Sequence, residues 1–141
     1  MVALAIVLDV AFHSGGDAVV NTAELAERTG MARRTLEPLL QVLSRERLLD
    51  STRGPHGGYR LGRPARLIKV SEAIIVGLNS LDESVHGLRG QLHRAVIEPL
   101  WAEFDASVLA LAESQTIEDL LKRAAKAGLR KPVTEPLNFV I

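Results

Sequence analysis

Residues 51–61, STRGPHGGYRL, bring three glycines, a proline, two arginines and a histidine into one short stretch. Glycine amides beside cationic side chains can cradle a phosphate, so the stretch could be the mouth of a nucleotide site. A P-loop, however, needs Lys followed by Ser or Thr after its glycines, at the start of a helix. A dinucleotide loop needs its glycines between a strand and a helix. Here the glycines run into YRL, which is β-prone, and no helix begins there. The stretch therefore predicts the tip of a β-hairpin, with Gly54, Gly57 and Gly58 permitting positive φ and Pro55 fixing one turn residue. Arg53 and Arg60 flank that tip, which suits contact with a polyanion. The chain carries no coherent nucleophile, acid–base pair or cofactor motif, and it reads as a binding protein, not an enzyme.

The elements that must position this hairpin follow from composition and periodicity. The 141 residues are one domain's worth of chain, 47% hydrophobic and 24% charged, which excludes a disordered segment. There is no cysteine, which excludes disulfides, thiolate metal sites and cysteine nucleophiles. The longest apolar run, MVALAIVLDVAF, is interrupted by Asp9, is too short to cross a bilayer and lacks the basic start of a signal peptide. A cytoplasmic location without membrane contact is expected. Net charge is zero but uneven: residues 28–69 carry ten Lys/Arg and three Asp/Glu, a net +7, and the remainder a net −7. A polyanion would meet a positive middle segment on an otherwise negative protein.

A first helix is expected over residues 2–12, apolar nearly all round and stopped by Ser14-Gly15-Gly16. AVV, 18–20, is a possible short strand. Asn21 or Thr22 caps a second helix that closes at Gly30, with Ala23, Leu25 and Ala26 turned inward. A third helix is predicted from about 33 to 49 by Leu36, Leu39, Leu40, Leu43 and Leu48. After the hairpin and the basic linker GRPARLIK, Ser71 is expected to cap the short helix SEAIIVGL. Residues 85–97 look weakly helical, and Pro99 suits the first turn of a longer helix carrying Leu100, Trp101, Phe104, Val108 and Leu111. In TIEDLLKRAAKAG, Thr116 with Asp119 forms a capping box and Gly128 stops the helix. The tail, LRKPVTEPLNFVI, has no clear period.

Two short helices joined at a glycine and followed by a hairpin describe a winged helix-turn-helix. The major groove admits one α-helix, so a braced pair can present its second member there. In AELAERTGMARRTLEPLLQVL, Ala26 is small where the helices cross, Gly30 allows the turn, and Leu36 and Leu40 pack inward. Arg33, Arg34, Glu37 and Gln41 are left facing out. Glu37 can either accept from a base or pair with Arg33 or Arg34 on a solvated surface.

The motifs LAERTGMARRTLEPLL and RLLDSTRGPHGGYRLGRP, with DVAFHSG before them and LW…SQTIEDLL after, resemble the Rrf-two family of bacterial transcription regulators, the IscR, NsrR and CymR type. RGPxGGY is the most specific of these motifs. The resemblance implies a mainly α fold with a small β-wing, in which a winged helix-turn-helix domain (residues 1–80) precedes a long dimerisation helix with a possible sensing segment (81–141). It implies a homodimeric repressor on a palindromic operator of double-stranded DNA. Arg33, Arg34, Thr35, Glu37, Gln41 and Arg45 would act from the recognition helix, and Arg53, His56, Gly57, Tyr59 and Arg60 from the wing. By the same resemblance Glu37 reads bases, Arg34 lies near them and Arg53 enters the minor groove. Phosphate contact is the more general role of such an arginine.

Three departures stand out. Pro38 removes a helical donor and clashes with the preceding turn, so the third helix should start late or be distorted. The chain starts almost inside the first helix, where relatives have about ten further residues by the resemblance. The three cysteines that hold an iron–sulfur cluster in the family's sensors are missing, and Glu98 falls at the non-cysteine ligand position. No cofactor is therefore expected. His86, His93 and Glu98 are the residues left for any other metal, without the usual i, i+4 histidine pair. His13 reads as a C-terminal helix cap. Trp101 is either core or part of a contact between long helices, and with Phe104, Val108 and Leu111 it forms the expected dimer interface over 99–114. A partner protein on a winged helix without specific DNA binding, and a small-molecule effector, are the other partners considered. His56 at the hairpin tip would make binding pH-dependent.

Overall fold

The computed structural model describes residues 1–15, 17–80 and 90–132. The first helix, α1 (Val2–His13), buries Ala3, Ile6, Val7, Val10 and Ala11, as a helix apolar on most sides must. His13 turns its Nδ1 to the Asp9 carbonyl oxygen at 2.9 Å, closing the helix end. Helix α2 (Thr22–Thr29) is capped by Asn21, whose Oδ1 accepts from the Glu24 amide at 2.9 Å while the Glu24 carboxylate accepts from the Asn21 amide at 3.1 Å. This reciprocal pair satisfies two otherwise orphaned donors. Gly30 ends α2 at φ +70, a conformation that only glycine adopts without strain.

Helix α3 (Arg33–Arg45) begins on schedule and passes through Pro38. A late start or a distortion was expected, and the start is not late. The proline lies beyond the first turn, so the helix nucleates on Ala32, whose carbonyl accepts from Thr35 and Leu36, before the missing donor is reached. The other end corrects the expected boundary at 49. Arg47 takes φ +58, and the Leu48 amide reaches back to the Leu43 carbonyl at 3.0 Å, closing the helix with a left-handed residue. Leu48 and Leu49 are buried all the same, from the turn and from strand β1 (Leu49–Thr52).

β1 pairs antiparallel with β2 (Gly58–Leu61), with Leu49 opposite Leu61 and Thr52 opposite Gly58. The expected strand at 18–20 is reduced to one bridge, in which Val20 and Tyr59 exchange two backbone hydrogen bonds of 2.8 Å. The glycine assignments also change. Only Gly54 of the three has positive φ, +112. Gly57 and Gly58 are needed for space: a Cβ on Gly57 would stand 2.3 Å from the Thr52 carbonyl oxygen, and one on Gly58 2.6 Å from that of Val20.

A 3-10 turn (Ala65–Leu67) leads to α4 (Val70–Asn79). Ser71 does not cap it. The helix starts one residue earlier, Glu72 accepts from the Lys69 amide at 2.8 Å, and the buried Ser71 hydroxyl donates to Glu113. Next in the described chain is a π-helical turn (His93–Ile97) running without a break into α5 (Glu98–Glu113). Pro99, in the first turn of α5, cannot donate to Ala95, and the widened π turn sits where that bond is lost. Helix α6 (Ile117–Lys126) returns to α1. Ile117 is fully buried, with Leu120 and Leu121 packed beside it in the same core as Ile6, Leu25, Leu36 and Leu40. Thr116 and Asp119 form the predicted capping box.

Candidate nucleic-acid interface

The helix-turn-helix is held to the body by charge as well as by leucines. Arg28, in the last turn of α2, grips Asp9 of α1 through Nε (3.0 Å to Oδ1) and Nη2 (2.8 Å to Oδ2). That hydrogen-bonded carboxylate holds the Arg28 guanidinium above its ordinary pKa. The pair fixes the angle of α2, which in turn fixes α3 across the Gly30 turn.

On α3, Leu36, Leu40 and Leu43 face the core, leaving Arg33, Arg34, Thr35, Glu37, Pro38, Gln41 and Arg45 exposed. Among the described residues, no ion pair engages Arg33, Arg34, Glu37 or Arg45. The alternative in which Glu37 is neutralised by Arg33 or Arg34 is therefore not the arrangement adopted. Pro38 stands within this exposed face. Its missing amide leaves the Arg34 carbonyl without the i+4 donor, at a cost of roughly 3 kcal/mol for an interior position.

The wing hangs from the C-terminal end of α3 by three residues, Glu46, Arg47 and Leu48. Its turn, closed by the Gly57 amide donating to the Gly54 carbonyl at 2.9 Å, exposes Arg53 and His56. Arg53 has no ion-pair partner among the described residues. Arg60 does: opposite Asp50 in the register, it donates to Asp50 Oδ2 from Nη2 at 2.9 Å and from Nε at 3.1 Å, both residues about half exposed. Tyr59 packs partly against the core and is tied by its backbone to Val20, so it braces the wing. Gly57 lets the turn close. Of the eleven proposed DNA-facing residues, these two are placed as framework and Arg60 as one half of a cross-strand pair.

The structure adds two exposed cations outside the expected site set. Arg47, expected inside the third helix, lies exposed in the turn between α3 and the wing, and Arg66 is exposed on the 3-10 turn after it. The +7 charge of residues 28–69 was the available signal, since it counts them without placing them. Arg63 is set apart by its bond to Glu72.

A second surface of different character lies on α5. Trp101 (61% exposed), Phe104, Val108 and Leu111 (66%) alternate at spacings of three and four, an apolar seam along one side of the helix. The Trp101 and Phe104 rings meet edge to face at 5.5 Å. Of α5 only Ala112 is buried. The helix is anchored at its end, where Glu113 accepts from Ser71, the Val70 amide donates to the Gln115 carbonyl and the Ile117 amide to that of Ile68.

A model of the Rrf2 family, described as iron-dependent transcriptional regulators, matches residues 1–123. The HTH-type transcriptional regulator IscR of Xenorhabdus nematophila is 35% identical over 127 residues, spanning 85% of this chain and 74% of the relative. That of Cereibacter sphaeroides is 30% identical over 128 residues, spanning 85% and 82%. Among solved structures, IscR of T. potens superposes with a TM-score of 0.67 at 32% identity, covering 93% of this chain and 88% of its own. CymR of B. subtilis, the global cysteine regulator of that organism, shares the fold with a TM-score of 0.62 at 24% identity, over 86% and 92% of the two chains.

The residues here do not fit the iron of that family description. The chain supplies no thiolate. Among the described residues no group of three His, Cys, Asp or Glu side chains comes together. His93 Nε2 lies 3.5 Å from Glu98 Oε1 across the π turn, a pair too few in donors for a metal centre, and His86 lies outside the described residues.

Proposed function

The chain belongs to the Rrf2 family of DNA-binding transcriptional regulators, a family of regulators and not of enzymes, and from that premise we propose that it is a homodimeric repressor of a palindromic operator. The observation that carries this reading is the set of exposed charges on the winged helix-turn-helix that have no ion-pair partner among the described residues: Arg33, Arg34 and Arg45 around Glu37 on α3, and Arg53 on the wing. Placed in a major groove, Glu37 accepts from a cytosine amine while the arginines engage phosphates or guanine. Thr35 and Gln41 complete the reading face. Arg53 and His56 lie along the backbone or minor groove beside it. Arg60 joins them by giving up Asp50.

The working division is residues 1–80 for DNA and 81–141 for dimerisation and sensing, with α6 returning to brace the first unit. Trp101, Phe104, Val108 and Leu111 form the two-fold contact, which sets the spacing of two recognition helices on a palindrome. The site of action is the cytoplasm, where the DNA is, and among the described residues no helix is long and apolar enough to cross a membrane. The second reading, a winged helix that docks a partner protein, draws on the same exposed α5 seam. A small-molecule effector would bind between the winged domain and α5.

Fluorescence anisotropy with a duplex of the protein's own promoter tests the reading. A complex that outcompetes random duplex and weakens steeply with salt is expected. Equal affinity for both duplexes at moderate salt overturns it in favour of the partner-protein reading.

A further inference from the structure

Within the exposed face of α3 stands a residue with no polar side-chain atom. Pro38 has Arg34 one turn before it, Gln41 nearly one turn after it and Glu37 beside it, all exposed. Its ring takes no part in the core, which holds α3 through Leu36, Leu40 and Leu43. The helical hydrogen bond lost at Pro38 is thus not offset by packing, yet α3 runs unbroken from Arg33 to Arg45.

We propose that Pro38 is a specificity-determining residue whose ring reads the C5-methyl group of thymine. This rests on α3 being the recognition helix, as proposed above. The major groove presents donors, acceptors and one apolar feature, the thymine methyl. Arg34, Glu37 and Gln41 can address the polar features; a pyrrolidine ring gains only from the apolar one. The ring is fixed in place by its own backbone and loses no side-chain freedom on contact. Cytosine at the same position offers an amine and no methyl, and against the ring that amine loses its water without finding an acceptor. Thymine is favoured over cytosine on both counts.

The full chain and its Pro38→Ser variant, which removes the ring and restores the amide, are each used to select duplexes from a randomised pool. The duplex enriched by the natural chain is then remade with deoxyuridine in place of one thymine at a time, which deletes only the methyl group. At one thymine per half-site the natural chain should weaken roughly fourfold, the worth of one buried methyl. The variant should bind both duplexes equally and select no preference for thymine there. Equal penalties in the two proteins at every thymine, or none in either, overturn the assignment while leaving α3 as the recognition helix. Failure of the natural chain to enrich any sequence removes the recognition-helix reading itself, and the role of Pro38 with it.

Discussion

Helices α1 and α5 are both rich in apolar residues, and they end in opposite surroundings. In α1 five side chains are buried, Ile6, Val7 and Val10 completely, because α2, α4, α6 and the wing close around it. In α5 the larger side chains, Trp101, Phe104, Val108 and Leu111, face outward and only Ala112 is covered. The difference lies in what the rest of the chain offers each helix. α2, α4 and α6 pack onto α1. α5 is held at its C-terminal end, by Ser71 on Glu113 and the backbone bonds to Val70 and Ile68, and its preceding turns leave Trp101, Phe104, Val108 and Leu111 about half exposed or more. This exposed seam is where the two-fold contact is proposed.

This contrast can be broken by mutation. Ile6→Ala should cost about 2–5 kcal/mol of folding stability, measured by urea denaturation, because the closed core cannot collapse around the lost atoms. An unchanged midpoint would mean that α1 is not the centre of the core. Trp101→Ala with Phe104→Ala should leave the helical circular dichroism intact and turn a dimer into a monomer in sedimentation velocity. Loss of helix signal in place of dissociation would make α5 part of the monomer's core.

Finer tests separate the seam from the DNA-facing surface. Arg53→Ala should lower operator affinity on the order of tenfold and reduce the salt slope by about one phosphate, with the dimer unaffected. If the dimer dissociates, the wing and α5 are not independent surfaces. Thr116→Ala removes the cap where α5 turns back toward α1 and should cost about 1 kcal/mol. The backbone and hydroxyl of Thr116, bonded to Asp119, hold that carboxyl below the usual aspartate range. Its contribution is therefore present above the ordinary aspartate pKa and is lost as pH falls through the lowered one. Asp119→Asn should flatten that acid-side loss, and an unchanged acid profile would place the sensitive carboxylate elsewhere.

Local signals were legible where one short segment contained both partners of an interaction. The Thr116–Asp119 box and the Gly30 turn each need only a few neighbouring residues and stand as read, as does the leucine face of α3 apart from Leu48, which lies in the following turn. Ser71 was misread for the same reason: it has the residue type of a cap, but its partner, Glu113, is 42 residues away. Gly57 and Gly58 looked like sites of positive φ, when their true constraint is the approach of the Thr52 and Val20 carbonyls. Arg60 looked as available as Arg53 until the register set it opposite Asp50.

Periodicity, capping residues and the glycine-rich wing are properties of the chain itself, since they arise from backbone geometry and side chains within a turn or two. They were enough to specify a winged helix-turn-helix and the family resemblance. Which arginines are spent on carboxylates, which glycines are filled by a neighbouring backbone, and which apolar helix is buried depend on residues far apart in sequence. Those outcomes were decided only when α6 and the wing closed on α1 and left the large apolar side chains of α5 exposed among the described residues.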